Sequence, residues 1–222
     1  MSVACLACLL FMLAVLAHAK ERDDAGFVPM FKGKDASAWE TTGNWGFESD
    51  GAVALRPTYR RLRLIPDYKT FLWSKESYDN FVLDLEFKLA EKGNSGIFVR
   101  SSSRRSYIQT QLADSHGKKE PLDNSDCGAV VGVTAPSKNM SKPAGQWNRM
   151  IITCRQDRMQ VELNGEQVID LDLTKSQKTR TAHSGRIAFE NMNSPVAFRN
   201  VRIKELSIDR GPPPHSSGTS QN

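Results

Sequence analysis

In the stretch Phe81-Val82-Leu83-Asp84-Leu85-Glu86-Phe87-Lys88 every odd position is apolar, and three of the four even positions are charged. A side-chain period of two belongs to a strand with one face buried and one face wet, so a half-buried β-strand is predicted here. Residues 96–100, 107–112, 128–133 and 147–154 continue the series. No segment of helical length keeps apolar residues at i, i+3, i+4 and i+7. The clearest local signal is Met159-Gln160-Val161-Glu162-Leu163, then Asn164-Gly165, then residues 166–170. Asn-Gly accepts the two positive φ angles of a type I′ turn, which predicts a hairpin. The last strand begins at Val196 and runs to about residue 208. Its apolar phase shifts near Asn200, from Val196 and Phe198 to Val201 and Ile203, as a β-bulge would require. Many strands joined by short turns, without helices to cover parallel crossovers, predict an all-β fold of two antiparallel sheets packed as a sandwich. Residues 114–126 and 135–145 then form long loops at its edge or over one face, where function commonly lies.

The ends of the chain and its charge change this picture in three ways. Residues 1–19 hold an apolar run from Val3 to Leu16, close with Ala17-His18-Ala19, and are followed by Lys20-Glu21-Arg22-Asp23-Asp24. A short apolar core before a small-x-small site is the pattern of a cleaved signal peptide, whereas a membrane span needs about 20 apolar residues. The mature protein is therefore expected to be secreted or periplasmic, without stable membrane insertion. What remains is enough for one domain with a real core, residues 26–208, and the Pro/Ser/Gly-rich residues 209–222 form a tail expected to be disordered. Of the four cysteines, Cys5 and Cys8 leave with the signal. Cys127 and Cys154 stand either as one disulfide or as two buried thiols. The net charge of +5 raises the question of nucleic acid. Basic residues cluster only at Arg60-Arg61-Leu62-Arg63 and Arg104-Arg105, too briefly for such a partner, so a solvated basic face is expected.

A set of ordered motifs then narrows the function: Gly26-Phe27 through Phe31-Lys32-Gly33-Lys34-Asp35 and Trp39; Tyr78-Asp79-Asn80-Phe81; Gly93-Asn94-Ser95-Gly96-Ile97; Lys142-Pro143-Ala144-Gly145-Gln146-Trp147-Asn148; Leu163-Asn164-Gly165; and Phe198-Arg199-Asn200-Val201. Together they resemble the 3-keto-disaccharide hydrolase domain family, over roughly residues 26 to 206. The resemblance implies a concanavalin A-like jelly roll that acts on glycosides whose C3 hydroxyl is oxidised to a ketone. A C3 ketone acidifies the C2 proton, so a base can remove it, the C1 substituent leaves by elimination, and water adds afterwards. Such a site needs a base, an acid for the departing oxygen, and a donor or cation for the enolate.

Where the family usually presents Glu-x-Gln-x-x-Asp, this chain has Gln109-Thr110-Gln111-Leu112-Ala113-Asp114. Gln109 thus replaces a glutamate, and it can bind a hydroxyl but cannot serve as a general base. Strand alternation puts Gln109 and Gln111 on one face. Asp114 keeps its carboxylate and is the first candidate for the base, against an ordinary role as a turn-forming Asp. In Phe189-Glu190-Asn191-Met192-Asn193-Ser194-Pro195, Met192 stands where relatives carry a histidine, and Glu190 brings a carboxylate where glutamine is usual. Glu190 is the second catalytic candidate, set against a plain strand-end charge. Arg100 is expected to hold the enolate or a pair of hydroxyls, or else to form a cross-strand ion pair. Asn94 and Lys142 complete the expected substrate contacts. Trp73 and Tyr107 are candidates for stacking on a sugar ring, and Trp147 is expected in the core.

The histidines form no close-spaced zinc pair, and no metal-ligand set is assigned. Asp114, Asp123 and Asp126 with loop carbonyls would suit a hard cation such as calcium. Two readings follow: an exported enzyme that cleaves 3-keto-glycosides, and a carbohydrate-binding module of the same fold that has lost its acid and base. Both take a carbohydrate as partner.

Overall fold

The computed structural model describes residues 25–58, 67–103, 106–180 and 182–207. The signal segment, the tail at 209–222 and the basic groups at Arg60–Arg63 and Arg104–Arg105 lie outside the described residues. The strands are β1 (Val28–Pro29), β2 (Trp39–Glu40), β3 (Trp45–Phe47), β4 (Val53–Leu55), β5 (Leu72–Tyr78), β6 (Phe81–Leu89), β7 (Asn94–Ser103), β8 (Ser106–Ala113), β9 (Asn148–Arg155), β10 (Arg158–Leu163), β11 (Glu166–Asp172), β12 (Gly185–Phe189) and β13 (Val196–Glu205). They form two antiparallel sheets. The larger runs β11-β10-β9-β6-β13-β4-β3, with β1 also paired to β13, and the smaller runs β2-β5-β12-β7-β8. The chain passes between sheets at β1 to β2, β2 to β3, β4 to β5, β5 to β6, β6 to β7, β8 to β9, β11 to β12 and β12 to β13, so the two layers are woven together as a jelly roll. No helix among the described residues is long and apolar enough to cross a membrane.

The alternation along β6 does what its period requires. Phe81, Leu83, Leu85, Phe87 and Leu89 enter the core, where they join Met150, Ile152 and Cys154 of β9, Ile97 and Val99 of β7, and Ile187 and Phe189 of β12. On the other face of β6, Asp84 is only 3% exposed and takes two hydrogen bonds from Arg149, both 2.8 Å, and one from Arg202 at 2.9 Å. Burial pushes this carboxyl up, but the hydrogen bonds and charges of the two arginines outweigh it and hold Asp84 below its ordinary value.

The turn residues behave as their chemistry demands. Asn164 and Gly165 join β10 to β11 with φ of 54° and 90°. The register of β13 on β6 slips between Arg199 and Arg202, around Asn200 at φ 52°, which is the bulge that the phase change predicts. Two expectations need correcting. Residues 128–133 are a run of turns laid along the edge of β8 rather than a strand, with Val130 bridging Thr110 and the amides of Gln111 and Val131 tying the segment down. Trp147 lies on the outer face of the large sheet between Lys88 and Arg199, their cationic groups 4.8 and 4.1 Å from its ring, and it is not core. Cys127 and Cys154 are both buried free thiols, pushed up to about 12 by burial.

Candidate active site on the outer face of the small sheet

The outer face of the five-stranded sheet carries its own chemistry. In β7, Ser95, Ile97 and Val99 are turned to the core, so Asn94, Gly96 and Phe98 face outward. In β8, Ile108 and Leu112 are core residues, so Tyr107, Gln109 and Gln111 face outward. The register sets Phe98 opposite Gln109 and Gly96 opposite Gln111. Glu190 follows β12 directly and is fixed to the same place: its amide donates to the Gly96 carbonyl at 2.8 Å, and its own carbonyl accepts from Ser95 Oγ at 2.9 Å.

Above Gly96 the side chains of Gln109, from β8, and Glu190, just past β12, meet. Gln109 Nε2 donates to Glu190 Oε2 at 3.0 Å. A Cβ on residue 96 would stand 2.7 Å from Gln109 Nε2 and 2.8 Å from Glu190 Oε2, so a glycine is what leaves room for the pair. Glu190 is 5% exposed, and burial pushes its carboxyl up to about 7. It can therefore take or give a proton near neutral pH. Beside it, Gln111 Nε2 donates to Asn94 Oδ1 at 2.9 Å, and the Asn94 amide is held by Ser194 Oγ at 3.3 Å. Four of the seven residues singled out from sequence, Asn94, Gln109, Gln111 and Glu190, thus share one polar patch.

The other three are placed differently. Asp114 sits just past β8, where its Oδ2 accepts from the Lys92 amide at 2.8 Å and secures the β6–β7 turn. That is a turn-securing role. Arg100 is fully buried, and its guanidinium donates to the backbone carbonyls of Asp79 and Gln156, both at 2.7 Å. The β7 register shifts between Val99 and Ser103, and Arg100 itself has φ 48°, so the simple alternation that would have sent it to the cleft is broken at this residue. It is a structural anchor and not a substrate contact. Lys142 is exposed on the approach to β9, with its ammonium on the Trp147 carbonyl at 3.1 Å. Met192 lies in the loop after Glu190, and Asn193 there turns back to bond with Thr58.

The carboxylates considered for calcium do not fit a cation. Lys118 places its ammonium between Asp126 and Asp123, at 2.7 and 3.0 Å, and so supplies the positive charge from within the chain. Hydrogen bonds from Ser125, together with Lys118, hold the Asp123 carboxyl down to about 2. Asp114 is already engaged at the β6–β7 turn.

Around the polar patch lies an aromatic floor that the sequence only partly announces. Phe71, Phe98 and Ala188 form a buried cluster distinct from the main core, with Tyr68, Trp73 and Tyr107 packed against it. Phe98 and Tyr107 have ring centres 4.9 Å apart. Trp73 carries Arg186 over its ring at 5.3 Å, and both line an open depression of about 460 Å³. At the far side, Lys178 Nζ lies 5.7 Å from the Tyr107 ring centre. Phe71, Phe98 and Lys178 gave no signal of this placement, because only the pairing of distant strands brings them to one face.

The geometry can now be set beside known proteins. The chain is 22% identical, over 83% of its length and 80% of the relative's, to a 3-keto-disaccharide hydrolase of Bacteroides thetaiotaomicron. Its fold superposes on a Parabacteroides distasonis protein provisionally named a glycosyl hydrolase, with TM-score 0.67 and 26% identity over 81% of this chain and 99% of that one. A Bacillus subtilis protein of galectin-like fold and unknown function superposes with TM-score 0.56 and 12% identity, over 81% and 94% of the two chains. The sequence profile of one family matches residues 26–204, nearly the whole sandwich. The chain belongs to the 3-keto-α-glucoside-1,2-lyase-like domain family, with the concanavalin A-like jelly-roll fold.

Proposed function

We propose that this protein cleaves 3-keto-glycosides on the outer face of the small sheet, with Glu190 as the proton-transfer group. The observation that carries this reading is the buried Glu190 carboxyl, pushed up to about 7 and contacted by Gln109 at 3.0 Å. A base that loses its proton near neutral pH is well matched to a C2 proton acidified by the neighbouring ketone. Glu190 takes the C2 proton, the C1=C2 bond forms as the C1–O bond breaks, and the proton now on Glu190 is available to the departing oxygen. Water then adds to the unsaturated sugar. Gln109 orients the carboxylate, Gln111 and Asn94 offer hydrogen bonds to sugar hydroxyls, and Tyr107 and Trp73 offer apolar surface to the ring. The departure at Gln109 is compatible with this reading, since Glu190 brings a carboxylate to the same place.

The reading also includes export. Its support is the apolar run from Val3 to Leu16 followed by Ala17-His18-Ala19. Mass spectrometry of the secreted protein is expected to find Lys20 at the N-terminus, and retention of residues 1–19 would contradict this. The activity is tested by incubating the mature chain with a 3-keto-glycoside and with its unoxidised parent. Release of the leaving group from the keto form alone is expected. Binding of either sugar without release would make the protein a carbohydrate-binding module.

A further inference from the structure

We infer that Lys178 is an anion-recognition residue of this cleft and that it selects glycosides bearing a carboxylate, as in a uronic acid. The inference rests on the reading of the outer face as a sugar cleft, and it adds a substrate class to that reading. It starts from an imbalance of charge. Arg149, Arg186, Arg199 and Arg202 are all partly or largely covered, and each meets a carboxylate within 2.8 Å. Lys178 is also half-buried, yet among the described residues no carboxylate lies within ion-pair distance of it. Its partners are the Val131 carbonyl and the face of Tyr107. A partly desolvated ammonium without a counter-charge is costly, and burial accordingly pulls it below its ordinary value.

The place is shaped for the ammonium. A Cβ on residue 132 would stand 2.7 Å from Lys178 Nζ, and Gly132 has φ 71°, so this glycine opens the niche and gives the backbone its turn. The niche also adjoins the polar patch. The Val131 amide donates to the Gln109 carbonyl at 3.0 Å, and Lys178 Nζ is held by the carbonyl of the same Val131. Tyr107 and Gln109 are two residues apart on one face of β8, about 7 Å along the strand. A sugar seated over Tyr107 and Gln109 therefore lies beside Lys178, where a carboxylate substituent would meet the ammonium. A neutral sugar would leave the ammonium without an opposite charge.

The test is calorimetric binding of a glucoside and of the glucuronide with the same aglycone, both unoxidised so that no turnover is needed. The wild-type chain is compared with K178M and K178R, each first checked for an unchanged melting temperature. Wild type is expected to bind the glucuronide about tenfold more tightly, the worth of one charge-assisted hydrogen bond. K178M should lose that preference and K178R should keep it. Equal binding of the two sugars by wild type, or a preference that survives in K178M, overturns the inference. An intact preference with no release from any 3-keto-glycoside supports Lys178 and instead rejects elimination chemistry. Failure to bind either sugar removes both.

Discussion

Glu190, just past β12, and Gln109 of β8 stand 81 residues apart, and they meet at 3.0 Å over the one residue of β7 that has no side chain, Gly96. This contact joins a buried carboxyl to a neutral amide and not to a cation. A guanidinium or ammonium would stabilise the charged form and lower its proton affinity, whereas burial beside an amide leaves desolvation dominant.

Stability should therefore depend on pH through Glu190. Its folded carboxyl is raised from 4.5 to about 7, so its contribution is fully present below about 4.5 and is lost as pH rises through about 7. The loss amounts to about 3 kcal/mol at the upper end. E190Q, neutral at every pH, should match wild type near pH 4.5 and melt at a higher temperature at pH 8. Parallel melting curves of the two proteins across that range would show that the carboxyl is not desolvated in solution.

Gly96→Ala tests the crossing itself. The added methyl meets only side-chain atoms of Gln109 and Glu190, not backbone, so the sandwich should fold with little change in melting temperature. The Gln109–Glu190 contact should open, and kcat/KM should fall about 100-fold, as misplacement by an ångström commonly costs. Unchanged turnover in G96A would mean that this contact does not position the base.

Arg100→Met should act on stability and not on chemistry. Its buried guanidinium ties the carbonyls of Asp79 and Gln156 together, and methionine removes both charge-assisted hydrogen bonds. About 3 kcal/mol of stability should go. Denaturant unfolding measures this, and the turnover of the folded fraction should be unchanged. A selective fall in kcat at full stability would return Arg100 to the site.

These contrasts mark where sequence is informative. The alternation of β6, the Asn164-Gly165 hairpin and the bulge near Asn200 are local: each is set by residues within a few positions, and each is found in the structure. The shared face of Gln109 and Gln111 is local too. Arg100 was misplaced because a bulge changes which face a residue occupies, and nothing in Val99-Arg100-Ser101 announces a positive φ at an arginine. Asp114 keeps the carboxylate of the family pattern, but its Oδ2 accepts from the Lys92 amide, a contact made by the turn before β7 and not announced by its own neighbours. Glu190 gains its environment from Gly96 and Gln109, and Lys178 gains its place from Val131 and Tyr107. Residues 128–133 have strand-like composition, yet they serve as an edge strap for β8.

The most direct measurement is release of the leaving group from a 3-keto-glycoside by wild type and E190Q, followed from pH 5 to pH 9. Wild type should show kcat/KM rising with an apparent pKa near 7, as the Glu190 carboxylate forms, and no release from the unoxidised parent. E190Q should keep its affinity for the parent sugar and lose at least 100-fold in turnover. A wild-type profile without a titration near 7, or turnover by E190Q at the wild-type rate, would contradict the assignment of Glu190 as the base.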